Sequence, residues 1–147
     1  MRVYLDNCCY NRPFDDQTQL KVRLETEAKL FVQQLMRTGA VEYVWSDMLD
    51  KEALDNPFPM QRVKIMEWRT GAKVDVEITP EIVIDATALM NAGLGNADAI
   101  HLACASAADC DWFLTTDIGI LKKVRQHGLT RVANPVEFAV EVHDEDQ

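Results

Sequence analysis

Long uninterrupted apolar runs are absent from this sequence, although 48% of its 147 residues are hydrophobic. A helix that crosses a membrane needs roughly 20 consecutive apolar residues, so no membrane span is expected. The opening residues reach the charged Asp6 before the apolar core of a secretion signal has formed. These absences predict a cytoplasmic protein, and the length suits one domain built around one core.

Cysteine and histidine are scarce, with four and three residues respectively. No two cysteines have the Cys-x-x-Cys spacing of a zinc ribbon, and disulfides are not expected without a secretion signal. Cys104 and Cys110 are expected to be small core residues. Loop packing is the preferred interpretation of Cys8 and Cys9. A nucleophilic cysteine is usually activated by a histidine, and no histidine motif is linked to these two residues.

Basic residues are outnumbered, since 15 lysines and arginines stand against 24 acids and give a formal net charge of -9. Such a surface repels a polyanion such as nucleic acid unless the charge is unevenly distributed. Two interpretations follow. Either the partner is not nucleic acid, or part of the negative charge forms a functional cluster that bound cations neutralise.

Short apolar runs alternate with amphipathic segments along the whole chain, and there is no internal repeat. Strands are predicted at residues 3–5, 41–45, 73–78, 112–116 and 130–133. Helices are predicted at residues 17–38, 46–54, 61–70, 79–92, 96–108, 117–127 and 135–142. The alternation predicts an α/β domain over residues 1–142, with a central parallel sheet flanked by helices, and an acidic tail over residues 143–147.

Four acids fall at positions where such a sheet would gather them. Asp6 and Asp117 directly follow predicted strands, Asp98 lies in the first turn of an alanine-rich helix, and Glu52 lies on the helix after the second strand. Ligands of parallel α/β folds bind outside the carboxyl ends of the strands. Taken singly, Asp98 and Asp117 also suit helix N-termini, and Glu52 suits a solvated helix face. Asp6, after a buried strand, is expected to be paired or coordinated.

Carboxylates brought together in this way repel one another unless cations occupy the site. Hard oxygen ligands suit Mg²⁺ or Mn²⁺ rather than Zn²⁺. Such ions activate water and stabilise the leaving oxygen of a phosphodiester. The pattern therefore favours metal-dependent phosphodiester hydrolysis, and it reconciles the acidic net charge with a nucleic-acid substrate.

Four stretches, in this order, carry a resemblance to a known family: Val-Tyr-Leu-Asp at 3–6, Ser-Asp-Met-Leu-Asp-Lys-Glu at 46–52, Asn-Ala-Asp-Ala-Ile-His-Leu-Ala at 96–103 and Phe-Leu-Thr-Thr-Asp at 113–117. The chain resembles PIN-domain proteins, especially small prokaryotic ones related to VapC-type toxin ribonucleases. The resemblance implies a single-domain α/β/α sandwich. It also implies an endoribonuclease with an RNA substrate, an antitoxin protein as a partner, and a homodimer.

By the same resemblance, Asp6, Glu52, Asp98 and Asp117 correspond to the catalytic, metal-binding acids, and the metal is Mg²⁺ or Mn²⁺. Thr115 falls near a hydroxyl position beside the last acid, where it is expected to contact substrate.

The sequence departs from the family pattern at Gly119, where some members carry a further acid. This leaves the binding of a second metal open. Glu52 is chosen over the nearby Asp47, Asp50 and Asp55 because its longer side chain suits reach from a helix.

Residues after the first strand are further candidates for substrate contacts. Arg12 either holds a substrate phosphate bidentately or anchors a turn through Asp15 or Asp16, and both interpretations remain open. Asn7 either orients a metal-bound water or serves in a turn.

One histidine and three tryptophans are further candidates for structural or functional roles. His101, three residues after Asp98, is expected to pack or to hydrogen-bond a ligand rather than bind metal. Trp45 and Trp112 are expected in the core, whereas Trp68 is kept as a candidate interface or RNA residue.

Two other functions compete with the nuclease. A catalytically inactive PIN-fold module that binds RNA or protein is motivated by Gly119. A receiver-type phosphoacceptor domain is disfavoured, because Asp6 ends the first strand rather than a central one and no lysine directly follows the strand at 112–116.

Overall fold

Strands and helices alternate along residues 1–145, which the computed structural model of the chain describes. The strands in this range are β1 (Arg2–Leu5), β2 (Glu42–Ser46), β3 (Val74–Val76), β4 (Trp112–Leu114), β5 (Gln126–His127) and β6 (Thr130–Ala133). The helices are α1 (Asn7–Asn11), α2 (Leu20–Thr38), α3 (Asp47–Leu54), α4 (Pro59–Met66), α5 (Pro80–Asn91), α6 (Asn96–Ala107), α7 (Ile118–Lys123) and α8 (Pro135–Glu145). Short 3₁₀ turns lie at Arg12–Phe14 and Glu67–Gly71.

The strands form one six-stranded sheet in the order β3-β2-β1-β4-β6-β5. The pairs β1–β2, β2–β3, β1–β4 and β4–β6 are parallel, and only the edge strand β5 runs antiparallel, to β6. The predicted α/β class with a central, mainly parallel sheet flanked by helices is confirmed. Among the described residues, no helix combines the length and the hydrophobicity needed to cross a bilayer.

The central strands are hydrophobic because helices cover both faces of a parallel sheet. Val3, Tyr4 and Leu5 of β1 are fully buried, and so are Phe113 and Leu114 of β4. The predicted core residues Trp45, Trp112, Cys104 and Cys110 are buried as well.

The sheet has its topological switch point at β1. From β1 the chain adds β2 and β3 on one side, and it later returns to place β4 on the other side. Crevices outside the carboxyl ends of strands at such a point are the usual ligand sites of open α/β sheets. Here the main-chain N–H of Asp6 donates to the Leu114 carbonyl at 2.9 Å, which joins the ends of β1 and β4.

Residues 7–19 differ from the predicted arrangement. The side chain of Asp6 accepts a hydrogen bond from the N–H of Asn7 and caps the short helix α1, which was not predicted. Helix α2 begins at Leu20 instead of residue 17. The reason is local, because the Gln17 amide donates to the carbonyls of Arg12 and Asp15, and this holds the residues before α2 in a turn.

The C-terminal third contains the other difference. The predicted helix over 117–127 ends at Lys123, because Gln126 and His127 pair with β6 as strand β5. Gly128, predicted to end a helix, instead takes a φ of 59° in the turn between β5 and β6. Helix α8 runs to Glu145, so residues 143–145 of the predicted tail are helical, and residues 146–147 lie outside the described residues.

Candidate active site

Asp6 lies at the carboxyl end of β1 and is 5% exposed. Its Oδ1 accepts a hydrogen bond from the Asn7 N–H at 2.8 Å, and its Oδ2 accepts one from the Thr115 hydroxyl at 2.8 Å. The Cys8 thiol also donates to Oδ2, at 3.4 Å. These donors satisfy the oxygens of a buried carboxyl group and fix its orientation.

Thr115 connects Asp6 to Asp117. While its hydroxyl donates to Asp6, the same oxygen accepts a hydrogen bond from the Asp117 N–H at 3.1 Å. Asp117 then caps α7, since its Oδ1 accepts from the N–H groups of Gly119 at 2.8 Å and Ile120 at 3.3 Å. Thr115 is fully buried, and its hydroxyl positions these two acids. Its expected contact with substrate stays a prediction.

Glu52 is connected to the same region by a chain of hydrogen bonds. His101 Nε2 bonds the Glu52 carboxylate and lies 3.7 Å from Asp6 Oδ1, while its Nδ1 bonds the Tyr4 hydroxyl at 2.6 Å. The Tyr4 hydroxyl also bonds Ser46 Oγ at 2.6 Å. Burial disfavours the charged form of His101, but the hydrogen bond to Glu52 and the charges of nearby acids outweigh it and raise the pKa of the ring.

Asp98 lies in the first turn of α6 and is half-buried. Burial, together with the smaller effects of the negative charges of Asp6, Asp117 and Glu52, raises the pKa of its carboxyl group to about 6. The three charges act on Asp98 because all four acids lie at the same end of the sheet. The structure therefore brings together the four acids singled out in the sequence.

The four acids lie at the same end of the sheet, but their carboxylate oxygens are not all within 4.8 Å of one another. Among the residues described, the three acids whose ligand oxygens lie within 4.8 Å of one another are Asp47, Asp50 and Asp75. These belong to a separate cluster, in which Arg69 pairs with Asp75 at 3.0 Å and Asp50 at 3.7 Å and offsets one of the three negative charges. Glu52, rather than Asp47 or Asp50, is the acid of α3 that contacts His101, whose Nε2 also lies 3.7 Å from Asp6 Oδ1.

The two other predicted substrate residues differ in their surroundings. The Asn7 side-chain Oδ1 is buried and has no hydrogen-bond partner among the described residues. Arg12 donates from Nε to Glu25 at 3.0 Å and from a terminal nitrogen to Asp15 at 2.9 Å. Its guanidinium is therefore held in the Arg–Asp turn that was the alternative to phosphate binding.

Gly119 is explained by the carboxylate next to it. A Cβ built at this position would lie 3.0 Å from Asp117 Oδ1, and the Gly119 N–H donates to that same oxygen. An acidic side chain here would force the Asp117 carboxylate to move, so glycine fits the cap that Asp117 makes.

Two polar residues of the site were not identified in advance as functional. Tyr4 precedes Asp6 by two positions, which places both side chains on one face of β1, but the hydrophobic run around Tyr4 gave no reason to single it out. Ser46 caps α3, since its hydroxyl accepts a hydrogen bond from the Leu49 N–H at 3.2 Å. Its second partner, the Tyr4 hydroxyl, comes from another strand. His101 fulfils the expected hydrogen-bonding role.

An open cleft of about 430 Å³ begins beside Glu52. Asn7 and Asn11 of α1 form one wall, and the segment from Asp55 to Phe58 forms the other. Phe58 is 59% exposed there. A larger concavity of about 490 Å³ lies between β3, α5 and α6, but none of the four acids lines it.

The fold is similar to that of two solved structures. One is a chain of VapBC2 from Rickettsia felis bound to a DNA fragment from their promoter, with a TM-score of 0.56 and 14% identity over 91% of this chain and 98% of that chain. The other is a chain of VapBC-1 from nontypeable Haemophilus influenzae, with a TM-score of 0.59 and 14% identity over 92% of this chain and 98% of that chain. No protein-family model and no curated protein matches the sequence.

Proposed function

From the PIN-like fold that this chain shares with VapBC structures, we propose that it is a divalent-metal-dependent endoribonuclease of the VapC toxin type. One observation carries the proposal. Asp98 sits among Asp6, Asp117 and Glu52 at the switch point of the sheet, and their charges contribute to a carboxyl pKa of about 6.

The donor set fits a divalent cation. Four carboxylates offer hard oxygen ligands, and their mutual repulsion makes the acid cluster costly without a positive charge. Mg²⁺ or Mn²⁺ held by Asp6, Glu52, Asp98 and Asp117 would remove that cost. The buried and unpartnered Oδ1 of Asn7 supplies one further oxygen beside Asp6, suited to orienting a water molecule.

The surrounding residues keep three of these acids oriented. Thr115 holds Asp6 and the N–H of Asp117, the N–H of Gly119 holds the Asp117 carboxylate, and His101 holds Glu52. When bound, the ion supplies positive charge for the phosphodiester and lowers the pKa of a water molecule, so that no side-chain base is required. Such outer contacts typically change metal affinity or activity by about 10- to 100-fold when removed.

RNA is the proposed substrate because single-stranded bases can enter an open cleft and stack on an aromatic side chain. Phe58 offers such a face in the cleft beside Glu52. The likeness to chains from VapBC structures supports a toxin role, with an antitoxin protein as the inhibitory partner. A homodimer of the chain is part of the same proposal.

The test is cleavage of an end-labelled single-stranded RNA by the purified protein in EDTA, Mg²⁺ or Mn²⁺. We expect cleavage only with metal, and a loss of at least about a hundredfold in Asp6→Asn and Asp98→Asn, because each replaces a charged carboxylate ligand with a neutral amide. Asp75→Asn, in the separate cluster where Asp75 pairs with Arg69, is the matched control and should retain activity.

Absence of cleavage with every metal, together with no metal binding, would overturn the proposal. RNA binding that persists in EDTA without any cleavage would select the inactive binding module instead.

A further inference from the structure

A second cavity lies away from the four acids, between α1, α2 and α4. It encloses about 280 Å³, and none of the four proposed metal ligands lines it. Three polar side chains in its lining are almost completely buried: Tyr10 is 1% exposed, Gln33 is 2% exposed and Lys29 is 5% exposed. Lys29 and Gln33 are four residues apart on α2, so they share one face of that helix. We call this space the α2 cavity.

The donors of these three side chains are unused. The Tyr10 hydroxyl and Gln33 Nε2 have no hydrogen-bond partner within the described part of the chain. In that same part, no hydrogen bond or ion pair involves the Lys29 ammonium group. Buried polar groups are nearly always hydrogen-bonded, since leaving one unpaired costs about 1–3 kcal/mol. Two fully buried donors without a partner, and an ammonium group without an ion pair, point to a ligand that supplies acceptors to this cavity.

The charges around the α2 cavity have one predominant sign. Arg37 and Lys64 also line it, and neither forms an ion pair with another described residue. Glu67 is the one acid in the lining. Burial lowers the pKa of Lys29 to about 8, and the charge of Arg37 acts in the same direction. An excess of cations at this spot contrasts with a chain whose formal net charge is -9.

We propose that the α2 cavity binds a phosphate dianion, either free or as the terminal monoester of a small ligand. Tyr10, Lys29 and Gln33 donate to its oxygens, and Arg37 and Lys64 balance its charge at the rim. Phe14 and Trp68 give the cavity an apolar wall for whatever body the phosphate carries. This site goes beyond the proposed nuclease, because it involves neither the metal ligands nor the scissile bond.

The number and charge of the donors favour phosphate over carboxylate. Three cationic and two neutral donors face one acid, which leaves an excess of two positive charges in the lining. A phosphate monoester carries about −1.5 to −2 charges at neutral pH and three strong acceptor oxygens. A carboxylate offers one charge and two oxygens, and would leave donors unsatisfied.

The experiment titrates inorganic phosphate, AMP, adenosine and succinate into the ¹⁵N-labelled protein in EDTA, which keeps metal ions out of the acid cluster. We expect phosphate and AMP to shift the side-chain amide resonances of Gln33 in a saturable way, and adenosine and succinate to leave them in place. Tighter binding of AMP than of phosphate assigns the site to a nucleotide-like monoester, and equal binding assigns it to free phosphate; either result supports the proposal.

Variants locate the binding independently of nuclease activity. Lys29→Met and Gln33→Leu should weaken phosphate binding by about tenfold or more, because a hydrogen bond to a charged group contributes about 1.5–3 kcal/mol. Gln33→Leu removes an unpaired buried donor and Lys29→Met removes an ammonium group that forms no ion pair with the described residues, so their ligand-free melting temperatures should not fall. Lys21→Met, an exposed lysine of the same helix, is the matched control, and Asp6→Asn should bind phosphate like the wild type.

Failure of both phosphate and AMP to move the Gln33 resonances overturns the proposal. So does succinate binding of equal strength, or unchanged phosphate affinity in Lys29→Met. None of these results bears on the metal-dependent cleavage of RNA.

Discussion

The Asp98 carboxyl group makes metal-free stability depend on pH. Its pKa in the folded protein is raised to about 6, mainly by burial and then by the charges of Asp6 and Asp117, whereas an unfolded aspartate titrates near about 3.9. The folded state therefore binds the proton more tightly than the unfolded state. The associated stability is fully present below about pH 4 and is lost as the pH rises through about 6.

We predict that Asp98→Asn stabilises the metal-free protein at pH 7 to 8 but not at pH 4, where the wild-type carboxyl is already neutral. A gap of about two pKa units corresponds to about 3 kcal/mol, which solvent at this half-buried group reduces to about 1–2 kcal/mol. Urea unfolding in EDTA from pH 4 to pH 8 measures the difference. Glu27→Gln, an exposed acid in the middle of α2, should show no such dependence, and an Asp98→Asn effect that is constant with pH contradicts the assignment.

We also predict that the buried hydrogen bond between Tyr4 and His101 contributes to the free energy of unfolding. Tyr4→Phe and His101→Leu each leave a buried partner unsatisfied, so each should lower the free energy of unfolding by about 1–3 kcal/mol. The free energy of unfolding lost by the double variant should be about 1 kcal/mol smaller than the sum of the losses in the two single variants, because both partners of the 2.6 Å bond are then absent. Urea unfolding in EDTA measures all three.

A cycle that pairs His101→Leu with Tyr43→Phe is the control. The Tyr43 hydroxyl donates to the Trp68 carbonyl and shares no partner with His101 in the described structure. That cycle should be additive. Additivity in the Tyr4 cycle as well would show that the bond has no energetic role.

At the level of elements, the glycine after α2 allows the cost of backbone strain to be measured without a steric clash. Gly39 follows the helix with a φ of 80°, and a Cβ placed there would meet no atom within 4 Å. Gly39→Ala should therefore cost about 1 kcal/mol through backbone strain alone, and Gly39→Asn should cost less, because asparagine tolerates this conformation better. Thermal unfolding of both variants tests the order, and an alanine variant as stable as wild type would contradict it.

Elements with a local signal were predictable from the sequence, and elements defined by a partner were not. Helix α5 starts at Pro80 after Thr79, whose hydroxyl caps the Ile82 N–H at 3.3 Å, as the Thr-Pro pair indicated. Strand β5 has two residues and exists because Gln126 and His127 find β6 beside them. No periodicity arises from two residues, so the sequence favoured continuation of the helix.

In the candidate site, too, features with a local sequence signal could be predicted, and contacts between distant elements could not. Asp6 and Asp117 could be placed because each follows a buried strand, and strand ends meet at one edge of a parallel sheet. The contact of Glu52 with His101 joins α3 to α6, and it depends on how two helices pack rather than on a motif. The pairing of Arg12 with Glu25 was missed for the same reason, since Glu25 is a buried acid on a helix predicted only from its apolar face.

At the scale of the whole molecule, two groups of acids compete for a cation. The first comprises Asp6, Glu52, Asp98 and Asp117 around the switch point. The second comprises Asp47, Asp50 and Asp75, whose oxygens are closer together but whose three negative charges are offset in part by Arg69. Because a cation gains most where like charges are uncompensated, the first group should bind the ion, although its oxygens are less tightly gathered.

We therefore predict that Mn²⁺ stabilises the whole protein through the first group. A ligand at 100 times its Kd that binds only the folded state adds about 2.7 kcal/mol, which for a chain of this size raises Tm by about 5–10 °C. Asp6→Asn and Asp98→Asn should lose most of this Mn²⁺-dependent increase, whatever their metal-free Tm, whereas Asp47→Asn and Asp75→Asn should keep it. Calorimetric scans with EDTA or Mn²⁺ at constant ionic strength measure the increase, since Na⁺ screens repulsion in every variant alike. The opposite pattern would place the ion among the acids of α3 and β3, and the proposed nuclease would lose its metal site.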